Sequence, residues 1–173
     1  MKLQEGQSIE NIAFTATSEL SSDLAAYRGK KVVIYFYPKD NTPGCTSESK
    51  DFTALHDQFR AKNTVVFGVS RDSLASHEKF KAKFDMPFEL ISDPDEVFCK
   101  HFDVIQLKKF MGKEYMGVVR STFLIDENGV LEKVWWNVKV KGHAQAVLDT
   151  IWIPQSPEGD GSANRLEAHL KVV

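Results

Sequence analysis

Cys45 closes the segment Tyr35-Phe36-Tyr37-Pro38-Lys39-Asp40-Asn41-Thr42-Pro43-Gly44-Cys45, with an apolar run before it and an amphipathic stretch after it, and that is a nucleophile's position. Residues 32–37 are β-branched and aromatic and predict a strand buried on both faces. Beyond Cys45, Phe52, Leu55 and Phe59 recur at helical spacing among Glu48, Lys50, Asp51 and Arg60, which predicts a helix reaching about residue 62. Thr42 suits its N-cap and Pro43 its first helical position, because proline's missing N–H would have no intrahelical partner there. Cys45 then falls in the first turn. A free thiol with a pKa of ~8.5 is only about 3% thiolate at pH 7, and the thiolate is the reactive form. A helix start favours the anion through partial positive charge and unpaired N–H groups, and a neighbouring Arg or Lys adds to that effect.

The elements that must hold this thiol read as alternating strands and helices. Residues 12–17 predict a short strand, Ser21-Ser22-Asp23 a cap for a brief helix ending at Gly29, residues 64–70 a second buried strand, and residues 73–84 a helix with Phe80 and Phe84 on one face. This β-α-β-α order is an α/β signature. Residues 87–91 predict a short strand closed by Ser92-Asp93-Pro94, and residues 95–102 a short helix. Residues 105–119 show no clean period and read as a long functional loop. Residues 121–126 and 130–136 flank Glu127-Asn128-Gly129, and Asn-Gly between apolar runs signals a hairpin. A last helix over about 143–152 completes a single domain of residues 1–153, while the Pro, Gly and Ser of 154–162 make 154–173 a tail.

With 173 residues, 42% of them hydrophobic, the chain can bury one sizeable core. A net charge of -2 and dispersed Lys and Arg give no surface for nucleic acid or an anionic membrane. Residues 1–8 lack the apolar region of a signal peptide, and no stretch approaches the ~20 apolar residues of a membrane span. Two cysteines, Cys45 and Cys99, are too few for a disulfide scaffold, and a lone thiol at a strand–helix junction suits a reducing compartment. A cytoplasmic location is therefore expected. The five histidines are isolated and lack ligand spacing with the cysteines, so no zinc site is expected.

Pro38, Thr42 and Cys45 fit P-x-x-x-T-x-x-C, the peroxiredoxin pattern, and residues 35–45 as a whole resemble the bacterioferritin comigratory protein, or peroxiredoxin Q, subfamily. The likeness continues through Asp72 with Ser76-His77-Glu78-Lys79-Phe80, Leu90-Ile91-Ser92-Asp93, residues 111–117, Arg120-Ser121-Thr122-Phe123 and Val138 to His143, covering about residues 3–150. The resemblance implies a thioredoxin-like α/β sandwich, a central mixed β-sheet flanked by helices, and reduction of hydrogen peroxide or organic hydroperoxides without metal or organic cofactor. It makes Cys45 similar to the peroxidatic cysteine, Thr42 to the residue that contacts peroxide, and Arg120 to the arginine that pairs with thiolate and substrate. Pro38 is similar to the shielding proline and Glu48 to the acid that orients the arginine, with N–H groups near Gly44 and Cys45 stabilising the departing oxygen. A monomer or weak homodimer is also implied.

Many relatives carry a resolving cysteine five residues after the first, where this chain has Lys50. The sulfenic acid formed on Cys45 must then be resolved by an external thiol, such as thioredoxin or a low-molecular-weight thiol, or by Cys99. On a helical wheel Cys99 falls roughly 60° beyond the arc of Val97, Phe98, His101 and Phe102, neither clearly core nor clearly exposed. The one-cysteine route is the leading reading; a redox sensor or chaperone-like protein without efficient turnover is the alternative from another class. Glu48 stands where the second cysteine of a C-x-x-C oxidoreductase would, which argues against that activity. Trp135 and Trp136 read as one core and one surface residue, and Lys108, Lys109 and Lys113 as a solvated loop face. Phe110, Met111, Tyr115 and Met116 read equally as packing for that loop or as a contact for hydroperoxide or reductant.

Overall fold

Lys31–Phe36 forms a strand in which every side chain is buried, and its alternation feeds two separate cores. Val32, Ile34 and Phe36 point into one, Val33 and Tyr35 into the other, as the two-residue period of a strand requires. The computed structural model describes residues 3–152; the expected tail lies outside them. In chain order the elements are β1 (Ala13–Ala16), β2 (Leu20–Asp23), β3 (Lys31–Phe36), α1 (Pro43–Ala54), α2 (His56–Ala61), β4 (Thr64–Ser70), α3 (Leu74–Lys83), β5 (Glu89–Ser92), α4 (Val97–His101), β6 (Ile105–Phe110), β7 (Lys113–Val118), β8 (Ser121–Ile125), β9 (Leu131–Trp135) and α5 (His143–Thr150).

Seven strands make one mixed sheet in the order β2-β1-β5-β4-β3-β8-β9. β3, β4 and β5 run parallel, joined by helical crossovers, while β1 and β8 flank them antiparallel. One face carries Phe52 and Phe59 of α1 and α2, Phe80 of α3, and Val147 and Leu148 of α5. The other is covered by Phe98, Cys99 and Phe102 with Ile9, Ile12 and Leu24. The expected mixed sheet between helices is thus observed.

Four local expectations differ from the structure. The helix after Cys45 breaks at Leu55, whose backbone (φ -99°, ψ 2°) ends α1 and opens α2. Ser21 and Ser22 belong to an edge strand, and only Asp23 caps, accepting from Ala26 N at 2.9 Å ahead of a 3-10 turn, Leu24–Tyr27. Residues 105–119 are largely no loop: β6 and β7 form a separate two-stranded antiparallel ribbon. Its turn, Met111 and Gly112 at φ 50° and 78°, joins the Phe110–Lys113 pair, and Leu107, Phe110, Met111, Tyr115 and Met116 stay exposed rather than packing down. Trp135 and Trp136 are both half-buried, one against each core.

Candidate active site

The parallel strand β3 ends beside β4, Tyr37 N still donating to Val69 O at 3.0 Å, and the chain then turns through Pro38 to Thr42 into α1. Thr42 is the N-cap, Pro43 the first helical residue and Cys45 lies in the first turn, as expected. The Thr42 hydroxyl does not cap, however. It turns back and donates to Lys39 O at 2.9 Å, leaving the first-turn N–H groups without a side-chain acceptor from Thr42. A hydroxyl whose proton is so committed offers its lone pairs outward.

Arg120, immediately before β8, is brought to this turn because β8 pairs with β3, with Ser121 opposite Phe36. Its Nη2 donates to Cys45 Sγ at 3.3 Å and its Nη1 to Glu48 Oε1 at 2.6 Å. Cys45 and Glu48 are each 1% exposed, so the guanidinium bridges a buried sulfur and a buried carboxylate. Burial works to lower the Arg120 pKa, but the charges of Glu48 and Cys45 override it and hold it above the usual value. Burial pushes Glu48 up to about 7 in spite of Arg120, and its Oε2 has no hydrogen-bond partner among the described residues. The guanidinium passes over Gly44, where an added Cβ would lie 3.2 Å from Nη2. Pro38 is half-buried at the mouth of the same turn. Cys45, Thr42, Arg120, Gly44, Glu48 and Pro38 thus meet at one end of the sheet.

Cys99 does not join them. It is wholly buried in α4, on the opposite face of the sheet from Cys45, rather than marginal as its helical wheel suggests. Burial, followed by the nearby Asp93 carboxylate, pushes its thiol far above the ordinary range. The wheel misplaces it because α4 is only five residues long and is docked end-on by Asp93, whose carboxylate accepts from Phe98 N and Cys99 N at 3.1 and 2.8 Å.

Sequence reasoning missed three contributors. Lys108, assigned to a solvated face, is half-buried and donates its ammonium to Val118 O; burial, Arg120 and Arg71 lower its pKa. His143, buried under Thr122 at 2.7 Å, is lowered to about 4 by burial and Arg120 and is neutral at pH 7. Asp40, Asp72 and His77 bring their polar atoms within 4.8 Å of one another beside the Thr42 turn. The resemblance singles out Ser76-His77, but no sequence pattern pairs it with Asp40, which both residues contact.

A thiol at a helix start beside an arginine, at the end of a mixed sheet between helices, is a thiol-reactive site on a thioredoxin-like fold, and similarity to known proteins places the chain among the peroxiredoxins. Residues 6–134 match the AhpC/TSA family, more than half of the chain, and the protein belongs to that family. It is 46% identical over 151 residues to the peroxiredoxin Bcp of Bacillus subtilis, covering 87% of this chain and 96% of that one. It is 51% identical over 125 residues to the Bcp of Xanthomonas campestris pv. campestris, covering 72% and 78%. Among solved structures, Xanthomonas campestris peroxiredoxin Q superposes with a TM-score of 0.76 at 42% identity over 91% of each chain. A mutant of Xylella fastidiosa PrxQ does so with 0.82 at 37% identity over 98% and 99%. The protein is a thiol-dependent peroxidase.

Proposed function

We propose that Cys45 is the peroxidatic thiol and that the enzyme reduces hydrogen peroxide and organic hydroperoxides by a one-cysteine route. The observation that carries this reading is the Arg120 Nη2 contact to Cys45 Sγ at 3.3 Å, with Glu48 holding the other guanidinium nitrogen. The Cys45 thiolate attacks the terminal oxygen of the hydroperoxide, the S–O bond forms as the O–O bond breaks, and the second oxygen leaves as alkoxide or hydroxide and takes a proton. Arg120 and the Gly44 and Cys45 N–H groups stabilise that departing charge, and the lone pairs of Thr42 Oγ1 accept from the peroxide O–H. Cys45 is left as sulfenic acid, two electrons oxidised. An external thiol condenses with it, releasing water and forming a mixed disulfide. A second thiol attacks the sulfur of the first in that mixed disulfide, displacing Cys45 as its thiolate and carrying away a disulfide.

Thioredoxin or a low-molecular-weight thiol is the proposed reductant, in a cytoplasmic setting. Among the described residues no helix is long and apolar enough to cross a membrane. Cys99 is an unfavourable resolver. It is buried behind the sheet from Cys45, its thiol is held protonated, and a disulfide needs Cα atoms within about 7 Å. Mass spectrometry after one equivalent of peroxide on the wild type and on Cys99→Ser tests the route. A sulfenic acid on Cys45 in both, reduced by added thiol, is the expected result; an intramolecular Cys45–Cys99 disulfide in the wild type overturns it.

A further inference from the structure

His77 is wholly buried in α3, and both of its ring nitrogens face oxygen. Nε2 lies 2.9 Å from Ile91 O, a carbonyl that can only accept, so Nε2 carries a proton. Nδ1 lies 2.7 Å from Asp40 Oδ2. A carboxylate oxygen and a bare imidazole nitrogen cannot face each other at that distance, so a further proton lies between them. Asp40 also accepts from Tyr37 Oη at 2.6 Å and from Ser76 Oγ at 2.8 Å, a set of donors that suits a carboxylate. The pair is therefore joined by a hydrogen bond through that proton. The Asp40 N–H donates to Asp72 Oδ2 at 2.8 Å, and Asp72 Oδ2 accepts from Ser70 Oγ at 2.5 Å as well. Both Asp40 carboxylate oxygens, both His77 ring nitrogens and Asp72 Oδ2 are thus engaged with protein groups.

The result is a hub at Asp40 that ties the end of β3, through Tyr37, to β4, α3 and β5. Asp40 follows Lys39, whose carbonyl receives the Thr42 hydroxyl, and precedes Asn41, whose backbone is left-handed at φ 62°. Asn41 is held from α3 as well, accepting from Lys83 Nζ at 3.0 Å. The turn that orients Thr42 thus hangs on α3, whereas the Cys45–Arg120–Glu48 triad hangs on α1 and β8. The two halves share the start of α1, where Thr46 N donates to Thr42 O at 2.8 Å, but the turn that carries Thr42 has a further support on α3.

We infer that His77 and Asp40 are positioning residues for peroxide recognition: the buried pair fixes the Lys39–Thr42 turn so that Thr42 Oγ1 meets the peroxide hydroxyl, without acting on the thiolate. This inference rests on the role proposed for Thr42. Two reactions of Cys45 separate the supports. Iodoacetamide alkylation needs the thiolate alone, whereas peroxide reduction needs thiolate and Thr42 together.

The test compares single-turnover peroxide consumption and alkylation rates in His77→Gln, His77→Asn, Asp40→Asn and Thr42→Val, each checked for folding by thermal unfolding. In His77→Gln and Asp40→Asn the peroxide rate is expected to fall roughly 10- to 100-fold, the scale of a small misplacement in a reacting geometry, with alkylation within about twofold of wild type. His77→Asn, whose amide can still donate from the Nδ1 position, recovers part of the loss. If His77→Gln does not fold, Asp40→Asn carries the comparison. Peroxide rates at the wild-type level in the His77 and Asp40 variants, with Thr42→Val impaired, overturn the inference and leave the site reading standing. A parallel fall in alkylation also overturns it. A Thr42→Val variant with wild-type peroxide rate overturns the site reading itself, and the inference with it.

Discussion

Arg120 Nη1 donates to Glu48 Oε1 at 2.6 Å across 72 positions of sequence, and the carboxylate that receives it is 1% exposed with its second oxygen unpartnered among the described residues. Burying that charge is costly, and its cost is set against the single orientation it gives the guanidinium. Glu48 therefore serves the position of Arg120 more than the stability of the fold.

That balance makes stability depend on pH. Burial raises the Glu48 pKa from 4.5 to about 7, so between those values the unfolded chain gives up the proton while the folded chain keeps it. The wild type is then most stable, in this respect, below the unfolded value, and loses stability as pH rises through about 7. Glu48→Gln lacks this slope. Urea unfolding from pH 4.5 to 8 should show the variant gaining on the wild type by about 3 kcal/mol at most. At pH 8 the variant should reduce peroxide more slowly, because Arg120 has lost its anchor. A constant stability difference across the range rules out the buried carboxylate as its source.

Gly44 lies directly under the guanidinium, and a Cβ there would approach Arg120 Nη2 to 3.2 Å. At that distance Arg120 would have to give by a few tenths of an ångström, and its ties to both Glu48 and Cys45 oppose the shift. Gly44→Ala should therefore slow peroxide reduction several-fold, on the order of 1 kcal/mol in the barrier. It should not lower the melting temperature, since alanine favours the helix over glycine by about 1 kcal/mol. Single-turnover kinetics and a thermal melt on one preparation check both halves.

The two thiols should behave as differently as their surroundings. Both thiols are buried, Cys99 at 0% and Cys45 at 1% exposure, so the difference is one of charge: burial and Asp93 push the Cys99 thiol well up, whereas Cys45 Sγ lies in the first turn of α1 and accepts from Arg120 Nη2 at 3.3 Å. A thiol reagent should titrate one group in the native protein, none in native Cys45→Ser, and two in the denatured wild type. Fast labelling of native Cys99 would show that α4 opens far more readily than its packing implies.

The start of the site was legible because its determinants are local. The apolar run 32–37, Thr42-Pro43 and the helical spacing after Cys45 specify a strand, a turn and a first-turn thiol without tertiary information, and Asn128-Gly129 specifies the hairpin. Arg120 lies 75 positions from Cys45 and was singled out by resemblance alone; its geometry depends on β8 pairing with β3. The β6–β7 ribbon was illegible for a physical reason. Neither of its faces is fully buried, so no alternation marks it, and its tight turn uses Met111-Gly112 where Asn-Gly would have signalled it. The Asp40–His77 pair joins a loop to a helix 37 positions away, and no local pattern encodes it.

Gly68 shows how far the support of the helix that carries Cys45 extends into the sheet. It pairs with Tyr35 on one side and Leu90 on the other, and a Cβ there would lie 2.8 Å from Leu90 Cδ2, Tyr35 Cζ and Tyr35 Oη. The missing side chain lets the Tyr35 ring lie across the central strand, stack on Phe52 at 4.6 Å and bring its hydroxyl within 2.9 Å of Ser49 Oγ. Both partners belong to α1, so Tyr35 seats the helix that carries Cys45. Gly68→Ala should displace the ring and cost about 1–3 kcal/mol through overpacking. Each kcal/mol corresponds to roughly 2–4 °C in melting temperature for a domain of this size. Because α1 moves with Tyr35, peroxide reduction should fall as well, which a purely structural defect far from α1 would not cause. Tyr35→Phe, which removes the hydroxyl and keeps the stack, should lose the Ser49 bond alone and stay within about 1.5 kcal/mol of wild type. A Gly68→Ala protein with unchanged melting temperature and unchanged peroxide kinetics would mean that Tyr35 does not seat α1.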